Sequence, residues 1–162
     1  MIDVQTVSII IAAASIVAGV VYYALDLRHR TQLRQTDLVM KLYSTFGTKE
    51  FQQSAMSIDS SNIKSYNDLG RNFTKIEDQL AAFSDFQSTC TFFEGVGVLL
   101  HRKLIEIDLV DDLLSSAIVI YWERFEPIIK DEREFFKQPQ IWEWFEYLYN
   151  QMKKRDTMIK SA

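Results

Sequence analysis

The chain is poor in the residues that interrupt helices, and poorer still in those that hold metals or disulfides. Two prolines and five glycines in 162 residues leave few enforced breaks, so long helices are expected. The single cysteine, Cys90, excludes an internal disulfide and fits a reducing compartment. A di-iron bundle needs two Glu-x-x-His motifs. Only His29 and His101 exist, and neither follows a glutamate at that spacing. There is no glycine-rich phosphate loop and no serine, histidine and acid set of credible spacing. Cys90 lies on an apolar face with no base placed to activate it, which makes it a core residue rather than a nucleophile. The expectation is a protein with no catalytic residue, no metal and no cofactor.

Charge is also scarce where it matters. Residues 1–47 carry four basic and three acidic groups, for +1, and residues 48–162 carry fourteen and nineteen, for −5. An acidic larger portion disfavours nucleic acid, because phosphate binding needs a positive surface. From Val4 to Leu25 there is no charged residue at all. As a helix those 22 residues would span about 33 Å, the thickness of a bilayer's hydrocarbon core. A cleaved signal needs a positive segment before its apolar core, and only "MIDVQT" precedes this one. Tyr22 and Tyr23 fall at headgroup level, and Arg28, Arg30 and Arg34 follow at once. The expected arrangement is a single-pass anchor in the cell membrane, with a short N-terminus outside and the C-terminal domain in the cytoplasm.

Inside the anchor, Ser8, Ala12, Ser15 and Gly19 share one side of the helix, while Ile9, Ile10, Ile16, Val17 and Val20 mostly face elsewhere. Small residues let helix backbones approach closely in lipid. That face is a candidate packing surface for a homo-oligomer, or the lining of a pore made by several copies. From Leu25 to Phe46 nothing breaks the helix. Leu33, Met40 and Tyr43 continue the seven-residue register, and Val39, Leu42 and Phe46 widen it. A helix over about 4–46, roughly 65 Å long, is expected, with Gly47 as its stop. The division is an anchor at 1–27, an extension at 28–47 and a cytoplasmic bundle at 48–162.

Within the bundle, 48–57 can form a short helix and 57–72 is rich in turn residues. Thr74 with Glu77 resembles a capping box. The next helix, to about Lys103, buries Ile76, Leu80, Phe83, Phe86, Cys90, Phe93, Gly97 and Leu100. Asp108 is placed to cap a further helix bearing Leu109, Leu113, Ala117, Ile118, Tyr121 and Phe125, with Pro127 inside it as a kink rather than an end. Pro139 suits the first turn of the last helix, which presents Ile141, Trp144, Phe145, Leu148 and Met152. No stretch alternates as a strand would. The fold class is all-α, a transmembrane helix continuing into a cytoplasmic helical bundle.

"CTFFEGVGVLLHRK" sets Glu94 among apolar residues, where a carboxylate must pair with a donor or take up a proton. A structural tie to Arg102, Arg124, Arg133 or a tyrosine is expected. Gly97 points to a neighbouring helix crossing closely. Trp142 and Tyr149 lie off the core stripe of their helix and form a candidate surface for a cytoplasmic protein partner. Taken together, "FFEGVG" at 92–97, "YW" at 121–122, Pro127, Arg133 and "WFEYLY" at 144–149 resemble, in that order, a prokaryotic family catalogued as a domain of unknown function. Its members look like short membrane-anchored helical proteins. The resemblance implies an anchor and a helical domain, and makes the glutamates and Arg133 fold determinants. The expected function is non-enzymatic, through self-association or partner binding, with a homo-oligomeric channel as the alternative.

Overall fold

A computed structural model describes residues 3–60, 63–71 and 75–160. The described residues form six helices and no strand: α1 Val4–Phe46, α2 Lys49–Ser60, α3 Tyr66–Arg71, α4 Ile76–His101, α5 Ile107–Phe136 and α6 Glu143–Lys160. The chain divides into two compact units, Met1–Asp37 and Leu38–Ala162.

The first unit is helical from Val4 onward, and α1 ends at Phe46 with Gly47 in the turn that follows. From Ile11 to Leu25 every side chain is exposed. Further on, Arg30 pairs with Asp26 at 2.8 Å one turn away, while Arg28 and Arg34 are exposed.

The second unit is built on α4, α5 and α6, with α2 and α3 packed on α4. Phe86, Phe93, Phe125 and Phe145 are fully buried with Ile118, Ile128, Ile129 and Leu148. Phe46 and Phe51 close on Phe92 at ring separations of 6.1 and 4.8 Å. α5 contributes its strongest stripe at Val110, Leu114, Ile118, Trp122, Phe125 and Ile129. Leu109, Leu113, Ala117 and Tyr121 are only half-buried beside it, so the buried face is turned one residue from the expected one. Pro127 lies inside α5 with its ring exposed. α4 and α5 both end in a left-handed lysine, Lys103 at φ 57° and Lys137 at φ 55°. In each case the next N–H reaches back five residues, Leu104 to Leu99 and Gln138 to Arg133, which satisfies carbonyls the helix end would leave open.

Four local expectations are corrected. Ile76 and Leu80 are 74% and 62% exposed, and Leu80 lines an open groove with Tyr66 and Leu69 of α3 and Phe135 of α5. Phe83, expected to be buried, is 37% exposed in the same groove, with Tyr66 edge-on at 6.4 Å. The α5 cap position is Glu106, without a side-chain bond; Asp108 instead pairs with Arg155 at 2.8 Å. The turn-rich segment contains α3, which Ser65 and Asp68 start reciprocally. Ser65 Oγ accepts from the Asp68 N–H and Asp68 Oδ2 from the Ser65 N–H, a capping box with aspartate as its acid. Asp131 of α5 accepts the Tyr66 N–H at 2.8 Å. Finally, α6 begins at Glu143, leaving Pro139 and Ile141 in the preceding turn. The capping box proposed at Thr74 lies outside the described residues.

Candidate functional site

Most of the segments that carry the family resemblance meet at the start of α6. A helix start leaves backbone N–H groups without partners. Here Glu94, from the C-terminal half of α4, supplies the acceptor, with Oε2 taking the Phe145 N–H at 2.8 Å. The expected tie to an arginine or tyrosine is therefore corrected: the donors are backbone groups of another helix. Burial raises the Glu94 pKa, the N–H groups of Phe145 and Trp144 oppose that rise, Glu143 adds to it, and Arg133 opposes it weakly.

Gly97, three residues on, makes the approach possible. A methyl group built at Gly97 would lie 2.1 Å from the Trp144 carbonyl oxygen. The close crossing expected at Gly97 is thus present, and α6 is the helix that crosses. Phe145 then stacks on Phe93 at 4.8 Å and 14° and meets the edge of Trp122 at 5.0 Å.

α5 holds the turn before α6 from its other side. Arg133 donates from Nε to the Ile141 carbonyl at 2.8 Å and from Nη1 to Glu146 at 2.7 Å. Its buried Nη2 has no hydrogen-bond partner. Glu132, only 4% exposed, accepts the Trp142 indole N–H at 2.7 Å and the Gln87 amide at 3.4 Å. Burial raises the Glu132 pKa, and the indole, the amide and Arg133 partly offset it. Trp142 itself sits at φ 57°, a conformation that bulky residues seldom adopt. Burial pushes the Cys90 thiol well up, with Glu132 and Glu94 adding to it; an unionised buried thiol is a poor nucleophile.

The candidate partner residues are engaged inside this arrangement. Trp142 is half-buried and bonded to Glu132, and Tyr149 stacks on Trp122 at 5.8 Å while its hydroxyl donates to Glu123 at 3.3 Å. Neither ring stands free. Reasoning from the sequence missed Glu132, whose signal was an acid directly before Arg133 at an apolar-face position. Among the described residues no cluster of three or more His, Cys, Asp or Glu side chains could hold a metal.

On α1, Ser8, Ala12, Ser15 and Gly19 are all exposed. The Ser15 hydroxyl donates to the Ile11 carbonyl at 2.8 Å, and nothing lies within 4 Å of a methyl group built at Gly19. Ile16, Val17 and Val20 are 63–69% exposed; the side chains of Ile9 and Ile10 lie outside the described ones. By length and composition, α1 is a helix that could cross a membrane.

The arrangement is that of an all-helical domain in which a polar node fastens the start of α6. The chain belongs to the family described as a domain of unknown function (DUF4760), whose model matches residues 4–152. No curated protein and no solved structure matches it.

Proposed function

We propose that this is a non-enzymatic membrane protein, held by α1 and acting through self-association or through a partner of its helical domain. One observation carries the reading. From Ile11 to Leu25 fifteen consecutive uncharged residues are exposed on a helix, an apolar surface that water disfavours and lipid accepts. Arg28, Arg30 and Arg34 follow that stretch and favour a cytoplasmic placement of what comes after it. The polar node at α6 is spent on backbone groups of the helix start and on side chains packed beside it, which supports a structural rather than a chemical role. Between a pore and a dry contact, the Ser15 hydroxyl favours the contact, because its hydrogen bond to Ile11 leaves it little need of water.

Two measurements test this. After lysis the full chain should sediment with membranes and resist extraction by alkaline carbonate; recovery in the supernatant removes the anchor. In nanodiscs the wild type should run as an oligomer that Ser15→Leu and Gly19→Leu dissociate. A persistent wild-type monomer removes self-association and with it the channel.

A further inference from the structure

The tip between α4 and α5 concentrates positive charge in a chain whose net charge is −4. His101, Arg102 and Lys103 follow one another there, all exposed. The Arg102 and Lys103 side chains make no ion pair among the described residues, in contrast to Arg133 and Arg155. The backbone fixes the tip: Arg102, Lys103 and Leu104 donate their N–H groups to Val98, Leu100 and Leu99 at 2.9, 3.0 and 2.9 Å. The cations are thus held outward on a closed turn, and Leu104 beside them is 48% exposed.

Aromatic rings flank the same tip. His101 packs on Trp144 at 4.2 Å and on Tyr147 at 5.5 Å, and those two rings are 6.0 Å apart. Among the neighbouring acids Glu146 pairs with Arg133, and Asp108 shares Arg155 with Asp111, which leaves one of those two charges over. Glu106 and Glu143 remain, so attraction at long range is weak and direct contact must supply the affinity. Forked guanidinium donors suit phosphate oxygens. Tryptophan and tyrosine settle where apolar and polar surroundings meet, and a leucine can enter the acyl boundary.

We infer that the Arg102–Lys103 tip, with Leu104 and the Trp144 and Tyr147 rings, is a docking surface for the headgroups of an anionic bilayer. The inference rests on the reading of α1 as an anchor, which keeps lipid at high local concentration. Each cation removed near such a surface weakens binding by roughly fivefold.

The test uses the full chain in nanodiscs of phosphatidylcholine, with or without phosphatidylglycerol, carrying a nitroxide lipid. Leu104→Cys bears a fluorophore, since Cys90 is fully buried and unreactive. Strong quenching is expected in anionic discs, weaker quenching in neutral ones, and a marked loss in Arg102→Glu/Lys103→Glu. The milder pair Arg102→Gln/Lys103→Gln should fall between them, with helical content checked for each. Equal quenching in both lipids, or none lost on charge reversal, overturns the proposal. If a polyglutamate peptide shifts the emission while lipid charge does not, the surface serves a protein and the lipid proposal fails. A chain that co-elutes with discs yet stays unquenched sinks the docking alone, whereas one that never enters them sinks the anchor and the docking together.

Discussion

Glu94 and Phe145 lie 51 positions apart in the chain, yet the carboxylate of one accepts the backbone N–H of the other at 2.8 Å. This bond joins the C-terminal half of α4 to the first turn of α6. It places a negative charge where the helix dipole favours one and satisfies a donor that α6 could not satisfy itself. Replacing Glu94 by alanine should therefore cost about 1–3 kcal/mol, the loss of a cap together with a buried unpaired donor. Glu94→Gln keeps one acceptor oxygen and should cost less. Thermal or urea unfolding of the two variants checks the order, and an alanine variant as stable as wild type would remove the cap.

Gly97 and Gly95 should respond in opposite directions to the same substitution. At Gly97 an added methyl group meets backbone at 2.1 Å, and a carbonyl cannot swing aside as a side-chain end can. Gly97→Ala should separate α4 from α6 and destabilise the bundle by about 2–4 kcal/mol. At Gly95 nothing lies within 4 Å. Gly95→Ala should stabilise by about 0.5–1 kcal/mol, the ordinary gain in a helix interior. Urea midpoints at constant m-value measure both.

Much of this was legible in the sequence, and the remainder failed for identifiable reasons. An acid inside an apolar run and a glycine three residues later announced a buried tie and a close crossing. Their partner was not readable, because a backbone N–H has no signature in residue type. The extent of α1 followed from the uncharged run to Leu25 and the lack of proline or glycine from there to Phe46. The exposed start of α4 did not follow, since Ile76, Leu80 and Phe83 have the spacing of a buried face, yet α3 and Phe135 meet Leu80 and Phe83 only across an open groove. The delayed start of α6 was hidden as well. Pro139 is suited to a first helical turn, but the left-handed backbone at Trp142, held through Glu132, restarts the chain at Glu143. The Glu132–Trp142 bond explains why a tryptophan that looks outward by register is turned inward.

The pH dependence of stability should run against the usual direction for carboxylates at these two positions. Burial raises Glu94 and Glu132 above the ordinary value of 4.5. Between that value and the folded pKa, the native state binds more protons than the unfolded chain, so their contribution falls as pH rises through the window. It is fully present below 4.5 and lost above the folded pKa. Glu132→Gln keeps an acceptor for the indole without the buried charge, so it should flatten this slope and leave stability at neutral pH equal or higher. Unfolding free energies across the acidic range decide it; an unchanged slope would show that Glu132 ionises as freely when folded as when unfolded.

Trp142 and Glu132 should prove coupled when both are altered. Trp142→Phe keeps an aromatic ring but removes the only indole donor to a carboxylate that is 4% exposed. The acid then keeps the Gln87 amide at 3.4 Å, and the single variant should lose about 1–3 kcal/mol, the cost of an under-satisfied buried charge. Adding Glu132→Gln withdraws that charge, so the double variant should recover part of the loss. The interaction energy from the four chains should be about 0.5–3 kcal/mol, the range for residues in direct contact. The sign identifies the cause. If the double variant is worse than the sum of the two single ones, the indole acts through ring packing and the left-handed turn, and the hydrogen bond to Glu132 is incidental to holding α6.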